Sequence, residues 1–437
     1  MPITLSLTGQ ADDGPERFSR AEARDWLGRA AVWFEQVGDT VLDAPVVRDA
    51  DDRPVVLVSC HPAVPPAELR LGASGRLRVF ARTDAAGPGY HAHLCGLLKQ
   101  FAAEFGVAWV ADDADDPTGF FTNTNRPACE RASDTWLGGE CSRALGARAP
   151  VAIGLPPNHG FMHPGPVLTP LGPRSRAWLE AAASNPRSGR DVFAWWSPGT
   201  DAGFYRNRAL CRLWCDFPWR PPLTEAEGEM TDGIANDLAS AYKLDPAGDL
   251  PWREWLEVLD AIENDEEGHT VNPSDPELRE RVAQRAFEFA AEGPPIGYRR
   301  GPVRAPVGSG WSIVVPGDFA RELGEDRTWT GWNATRTVWF HAVGYTKPDG
   351  TRPTPEESVA VGRRSLPDGD AVGGVSLPGL CGEAVFGETT DEGERRVWRL
   401  SGVTAADGQL VVCHVYSETA ADRDWAVETW HSLRHDG

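Results

Sequence analysis

The chain has 437 residues, of which 41% are hydrophobic and 18 are tryptophan, enough apolar mass for two or three packed domains rather than one. Its formal charge of −21, from 64 acidic against 43 basic side chains, opposes a phosphate backbone and argues against nucleic acid as a partner. No apolar run approaches the roughly 20 residues of a membrane span, the first residues lack the basic start and long apolar stretch of a signal peptide, and 8 cysteines scattered through so long a chain predict free thiols in a reducing cytoplasm.

In chain order, residues 19–37 predict a first helix, with Ser19 as N-cap, Glu22 three residues on, and Trp26, Leu27, Ala30 and Trp33 on an apolar face. Short apolar runs at Pro54 to Cys60 and Leu77 to Ala81 predict strands. The loop Asp84 to Gly89 then leads into a helix from Tyr90 to Phe105, with Leu94, Leu97, Leu98 and Phe101 on one stripe, and a strand returns at Val107. Strand, loop, helix and strand predict an α/β domain over residues 1–170, with the helix covering the sheet. Its later part holds an acidic turn (Asp112, Asp113, Asp115, Asp116), a helix around Cys129 to Leu137, a short strand from Val151 and a proline-rich irregular stretch from His159.

Residues 171–292 predict a tryptophan-rich helical section packed on that domain. Phe204, Leu210, Leu213 and Trp214 recur at helical spacing with Arg206, Arg208 and Arg212 on another face; Met230, Ile234, Leu238 and Ala241 mark a second helix over Glu225 to Leu244; further helices start at Pro251 and Asp275. The ending Ala241-Tyr242-Lys243-Leu244-Asp245-Pro246, followed by a new helix, resembles the junction between tetratricopeptide repeats, which implies a short helical hairpin of a kind that builds protein-binding surfaces.

Between 293 and 310, proline and glycine crowd the chain and predict an exposed linker. Beyond it, alternating strands at Trp311, Thr335, Gly382, Arg396 and Gln409, one helix near Pro355 and a closing helix from Ala421 predict an α+β domain with an antiparallel sheet over 311–437. Its opening strand Trp311-Ser312-Ile313-Val314-Val315-Pro316 and helix end Ser432-Leu433-Arg434 are similar to the PsbP-like fold, a family holding a photosystem lumenal subunit, a Ran-binding import factor and adaptor chaperones of secreted effectors. That likeness implies protein binding and carries over no catalytic residue. The fold class expected is therefore a multidomain α+β and α/β protein.

No G-x-S-x-G, H-E-x-x-H or C-x-x-C motif occurs, and no cofactor is expected. The ligand-type residues are His91, His93 and Cys95, since zinc prefers imidazole and thiolate. Residues two apart on a helix, however, point about 200° from each other, so His91 and His93 are expected to diverge. Tyr90, His91, His159, His163, Trp195 and Trp196 are the candidate binding residues, lying in aromatic-flanked loops or helix starts. The favoured function is a non-catalytic protein binder, such as an adaptor, chaperone or immunity-type protein. Its rivals are a metal-assisted hydrolase with a dispersed site at His91, His93, His159 and His163, and a structural component of an assembly.

Overall fold

The computed structural model describes residues 2–11, 18–37, 40–43, 46–50, 53–110, 114–147, 150–156, 159–271, 275–289, 293–344, 346–347, 349–377, 379–390, 396–406 and 408–436. The chain is a mixed α+β protein of several packed sheets and helical layers.

The first module contains β1 (Thr4–Ala11), α1 (Arg20–Gln36), β2 (Val46–Ala50), β3 (Arg53–Val58), β4 (Ala67–Leu71), β5 (Arg76–Arg82), α2 (Pro88–Glu104) and β6 (Val107–Trp109). The strands form one antiparallel sheet in the order β2-β3-β4-β5-β1-β6. Period-two burial explains which face is covered: Leu77, Val79 and Ala81 of β5 turn inward while Arg76, Arg78 and Phe80 face out. Leu5 and Leu7 of β1 join them under Trp26 and Phe34 of α1 and Leu94 and Phe101 of α2. The expected capping box is present, with Ser19 accepting from the Glu22 amide and the Glu22 carboxylate accepting from the Ser19 amide. The strand β1 was not foreseen, because Thr-Leu-Ser-Leu-Thr-Gly-Gln-Ala is only weakly apolar; its alternation suffices once β5 and β6 flank it.

Next come α3 (Phe120–Asn123), α4 (Arg126–Leu145), the parallel pair β7 (Val151–Ala152) and β8 (Val167–Leu168), and α5 (Arg176–Ser184). The helix predicted around Cys129 starts earlier, because the Asn125 side chain accepts from the Ala128 amide and Pro127 occupies the first turn. Asp112 and Asp113 of the acidic turn lie outside the described residues. Four consecutive helices follow, α6 (Ala202–Cys215), α7 (Glu225–Leu244), α8 (Trp252–Glu263) and α9 (Pro276–Glu288), each packed on the next. Leu213, Ile234, Leu238, Trp255, Val258 and Val282 form their shared core. The arginine face of α6 is not a solvated one throughout: Arg208 is buried and its Nε donates to Asp237 Oδ2 of α7 at 2.8 Å.

The last module has β9 (Val303–Gly308), β10 (Trp311–Val315), β11 (Ala320–Leu323), β12 (Trp329–Trp332), β13 (Arg336–Gly344), α10 (Pro355–Gly362), β14 (Asp370–Leu377), β15 (Leu380–Thr390), β16 (Arg396–Ala406), β17 (Gln409–Ser417), α11 (Arg423–His431) and β18 (Arg434–His435). A seven-stranded antiparallel sheet runs β11-β12-β13-β17-β16-β15-β14, and a small sheet runs β18-β10-β9. The turn predicted at residues 406–408 joins β16 to β17, although Asp407 lies outside the described residues.

The stretch 293–310 corrects the expectation of an exposed linker. It holds the turn Tyr298–Arg300 and all of β9, and Tyr298, Val303, Ala305 and Val307 are buried. Proline is tolerated here because β9 is an edge strand and Pro306 occupies an outward position. On its other side β9 is met by the irregular loop of the first module: Phe161 pairs with Val303, and the Arg304 amide donates to the Gly160 carbonyl at 2.8 Å.

Candidate binding site at the module junction

Tyr298 is the centre of the junction. Its hydroxyl donates to the Thr169 carbonyl at 2.9 Å and accepts from the Thr169 amide at 3.1 Å. Its ring stacks on Phe161 (4.9 Å) and contacts Trp214 (4.9 Å) and His163 (5.3 Å, edge-on), so one side chain binds three parts of the chain together. The neighbouring Arg299 crosses the same boundary, donating to the carbonyls of Asp216, Gly317 and Phe319 at 2.5, 2.6 and 2.7 Å.

Beside these residues an open groove of about 830 Å³ runs between the helical layer and the last module. Its aromatic walls are Trp219, with the Arg300 guanidinium 3.4 Å from its ring centre, and Trp425, with Arg336 at 4.5 Å. Arg300 is held by both oxygens of Glu257, at 2.7 and 2.8 Å. Arg304 and Arg434 have only neutral partners: Arg304 donates to the Ser432 carbonyl at 2.9 Å, and Arg434 to those of His431 and Leu433. Neither makes an ion pair among the described residues; burial together with the nearby Arg434 charge lowers the proton affinity of Arg304, against the weaker opposing pull of Asp436. The groove lining carries Arg299, Arg300, Arg304 and Arg434 against the acids Asp318 and Glu428, a locally basic patch in a chain of charge −21.

On the other side of Arg299 lies a smaller cavity of about 280 Å³, lined by His159, Cys215, Asp216, Arg299 and Arg321 among apolar residues. Asp216 is the C-cap residue of α6, its backbone amide donating to the Arg212 carbonyl at 2.8 Å, and its carboxyl sits where the helix dipole already disfavours negative charge. Burial raises its pKa to about 6, against the opposing pull of Arg299 and Arg212. An acid whose folded pKa exceeds its unfolded value is ionised first in the unfolded chain. The native state therefore loses stability as pH rises from about 4 to about 6, and the full penalty stands above that. Asp216→Asn is expected to stabilise the protein at pH 7.5 by up to about 3 kcal/mol and to leave it unchanged near pH 4. Urea titrations at the two pH values measure this; equal effects at both would remove Asp216 as the cause.

The sequence candidates fall into separate surroundings. Tyr90 and Trp195 are buried in the first core, which corrects their reading as binding residues; Trp195 lies 4.8 Å from His93 and 4.3 Å from Phe204, ring to ring, because the chain at 193–195 folds back onto the start of α2. Trp196 is half-buried under Arg190. His159 and His163 do reach the junction, each accepting at Nδ1 from an amide, of Phe161 and Gly165 respectively, which leaves the proton on Nε2. Burial lowers the pKa of both and takes that of His93 to about 4.

His91 and His93 diverge as helical geometry demands. His91 instead approaches Cys95 and Asp116, the single group of three metal-type donors among the described residues. His91 and Asp116 are held by a set of hydrogen bonds: Thr83 lies 2.9 Å from His91 Nδ1, Thr118 lies 3.0 Å from Nε2, and Thr118 donates to Asp116 at 2.7 Å. With the Thr83 hydroxyl donating and Nε2–H given to Thr118, every proton has an acceptor and a neutral imidazole is satisfied. Burial alone would raise the Asp116 pKa, but hydrogen bonds from His91, the Phe121 amide and Thr118 hold it well below the usual range. Burial pushes the Cys95 thiol well up. His91 and Asp116 thus belong to a polar network with Thr83 and Thr118, beside the buried thiol of Cys95, and among the described residues no three of His91, His93, His159 and His163 meet around one point.

The groove residues were missed because they come from distant parts of the chain. One sign was present: Arg299, Arg300 and Arg304 cluster within a stretch otherwise read only for its prolines and glycines.

No known family and no curated protein matches the chain. A solved structure of a protein from Bacteroides thetaiotaomicron VPI-5482 is similar at 12% identity with a TM-score of 0.25, over 32% of this chain and 49% of that one, so the match spans about half of that protein's length. A likeness of that size supports no conclusion about fold or activity.

Proposed function

We propose that the protein is a cytoplasmic, non-catalytic binder that holds an acidic, extended segment of another protein in the junction groove. The observation that carries this reading is the pairing of Arg304 with Arg434, guanidiniums that make no ion pair among the described residues, in a groove also lined by the half-buried rings of Trp219 and Trp425. Tryptophan and arginine are the side chains that dominate binding energy at protein interfaces. The resemblances of the helical section to tetratricopeptide hairpins and of the last module to the PsbP-like fold agree with an adaptor or chaperone role, by analogy of fold only. The described cysteines are free thiols, and no described helix is long and apolar enough to cross a membrane; the first of these agrees with a reducing compartment.

A fluorescein-labelled peptide alternating glutamate with leucine is expected to bind saturably, more weakly as salt rises, while its glutamine counterpart binds poorly. Arg304→Ala with Arg434→Ala should weaken binding at least about tenfold, on the order of 1.4 kcal/mol or more. Equal affinity of the double variant, or of the glutamine peptide, would defeat the proposal.

A further inference from the structure

We propose that the half-open cavity behind Arg299 is a second, independent site that binds a small organic monoanion: a carboxylate carried on a compact apolar body. The cavity is set where three parts of the chain meet. Pro62, Leu155, Phe161 and Pro170 supply apolar walls, and its polar groups gather at one side.

Arg321 carries the inference. It stands on the edge strand β11 at the mouth of the cavity, exposed on its outer side, and has neither hydrogen bond nor ion pair among the described residues. The atoms packed around its stem and the like charge of Arg299 lower its proton affinity. The one carboxylate whose attraction it feels, Glu227, is already gripped by Arg220 through two hydrogen bonds of 2.7 and 3.0 Å. A guanidinium on a cavity wall beside a second guanidinium, with Glu227 engaged elsewhere and Asp216 the one acid in the lining, has the electrostatics of a site that takes an anion from solution when Asp216 is protonated.

Asp216 and His159 narrow the ligand class. The Asp216 carboxyl accepts no hydrogen bond among the described residues, and the charged or titratable groups around it are Arg212, Cys211 and Cys215 on its own helix and Arg299 from the facing turn, with His159 and Arg321 across the cavity. The Nε2–H of His159 is a spare donor. A protonated Asp216 can donate to a carboxylate, so one proton is shared between two acids; a phosphate dianion would instead oppose Asp216 whenever it ionised. The apolar walls favour a hydrocarbon or aromatic body over a polar one.

Acetate, hexanoate and benzoate serve as probes, followed by saturation-transfer NMR and by the thermal midpoint of the full-length protein. At least benzoate or hexanoate should bind saturably at millimolar concentration or below, and more tightly at pH 5.5 than at pH 7.5. Arg321→Met should weaken binding tenfold or more, Arg321→Lys should restore part of it, and Asp216→Asn should bind with the pH dependence gone. The groove variant Arg434→Ala should leave these affinities unchanged, which separates this site from the peptide site: either can fail alone. No saturable binding of any of the three acids to the unmodified protein, or undiminished binding by a folded Arg321→Met protein, would overturn the proposal.

Discussion

Asp237→Ala is expected to destabilise the protein by about 3 to 5 kcal/mol, the usual consequence of stranding one member of a buried ion pair. Arg208 and Asp237 join α6 to α7 by two hydrogen bonds with both side chains almost wholly excluded from solvent, 6% and 3% exposed. The guanidinium also lies 4.8 Å from the Phe204 ring centre, so it cannot withdraw to water without disturbing the packing beneath it. Its charge contributes to holding His61 neutral, where burial, Arg208 and Arg212 together take the imidazole pKa to about 3. Removing the carboxylate leaves that positive charge uncompensated in an aromatic setting. Replacing both residues by apolar ones, Arg208→Met with Asp237→Leu, should recover most of the loss, because the penalty arises from the unpaired charge and not from the missing attraction. Urea unfolding of the two variants decides the matter; a loss below about 1 kcal/mol for Asp237→Ala would show that water reaches Arg208 readily.

The second large effect concerns Trp214. Its indole is 8% exposed and packs on Gly172, whose φ of +96° places it where an added Cβ would come within 2.6 Å of the ring. The other side meets Tyr298. Trp214→Ala should cost about 3 to 5 kcal/mol through lost burial and the void left behind. Because the ring touches the groups that join the modules, the loss should appear as a lower thermal midpoint with a broader transition in calorimetry. A variant with an unchanged midpoint that no longer bound the acidic peptide would reassign Trp214 to the ligand surface.

What could be read in advance follows from range. α7 forms over the residues its apolar stripe marks, Glu225 to Leu244, and α1 begins at the Ser19–Glu22 box, because period and capping are local properties. Core tryptophans such as Trp255 were likewise legible from helical spacing. β9 was not, since an edge strand with Pro306 differs from a linker only through its partners, β10 and the loop at Phe161. The groove needed still more: Arg304 and Arg434 meet because β9 and β18 both flank β10, a fact of topology that no window of sequence contains. His91 and Cys95 share a helix face by spacing, whereas the arrival of Asp116 depended on how the loop after β6 returns.

The pairing of Gly160 and Phe161 with β9 also bears on how the molecule comes apart. The last module's first strand is stitched to a loop of the first module, so the peptide connection through residues 293–302 is not what keeps the halves in company. A backbone broken before Tyr298 is expected to leave the fragments associated through Tyr298, Arg299 and the strand pairing, which size-exclusion chromatography of the nicked protein would check. Topologically the chain behaves less like two beads on a string than like a clasp, closed by residues that translation supplies at widely different times.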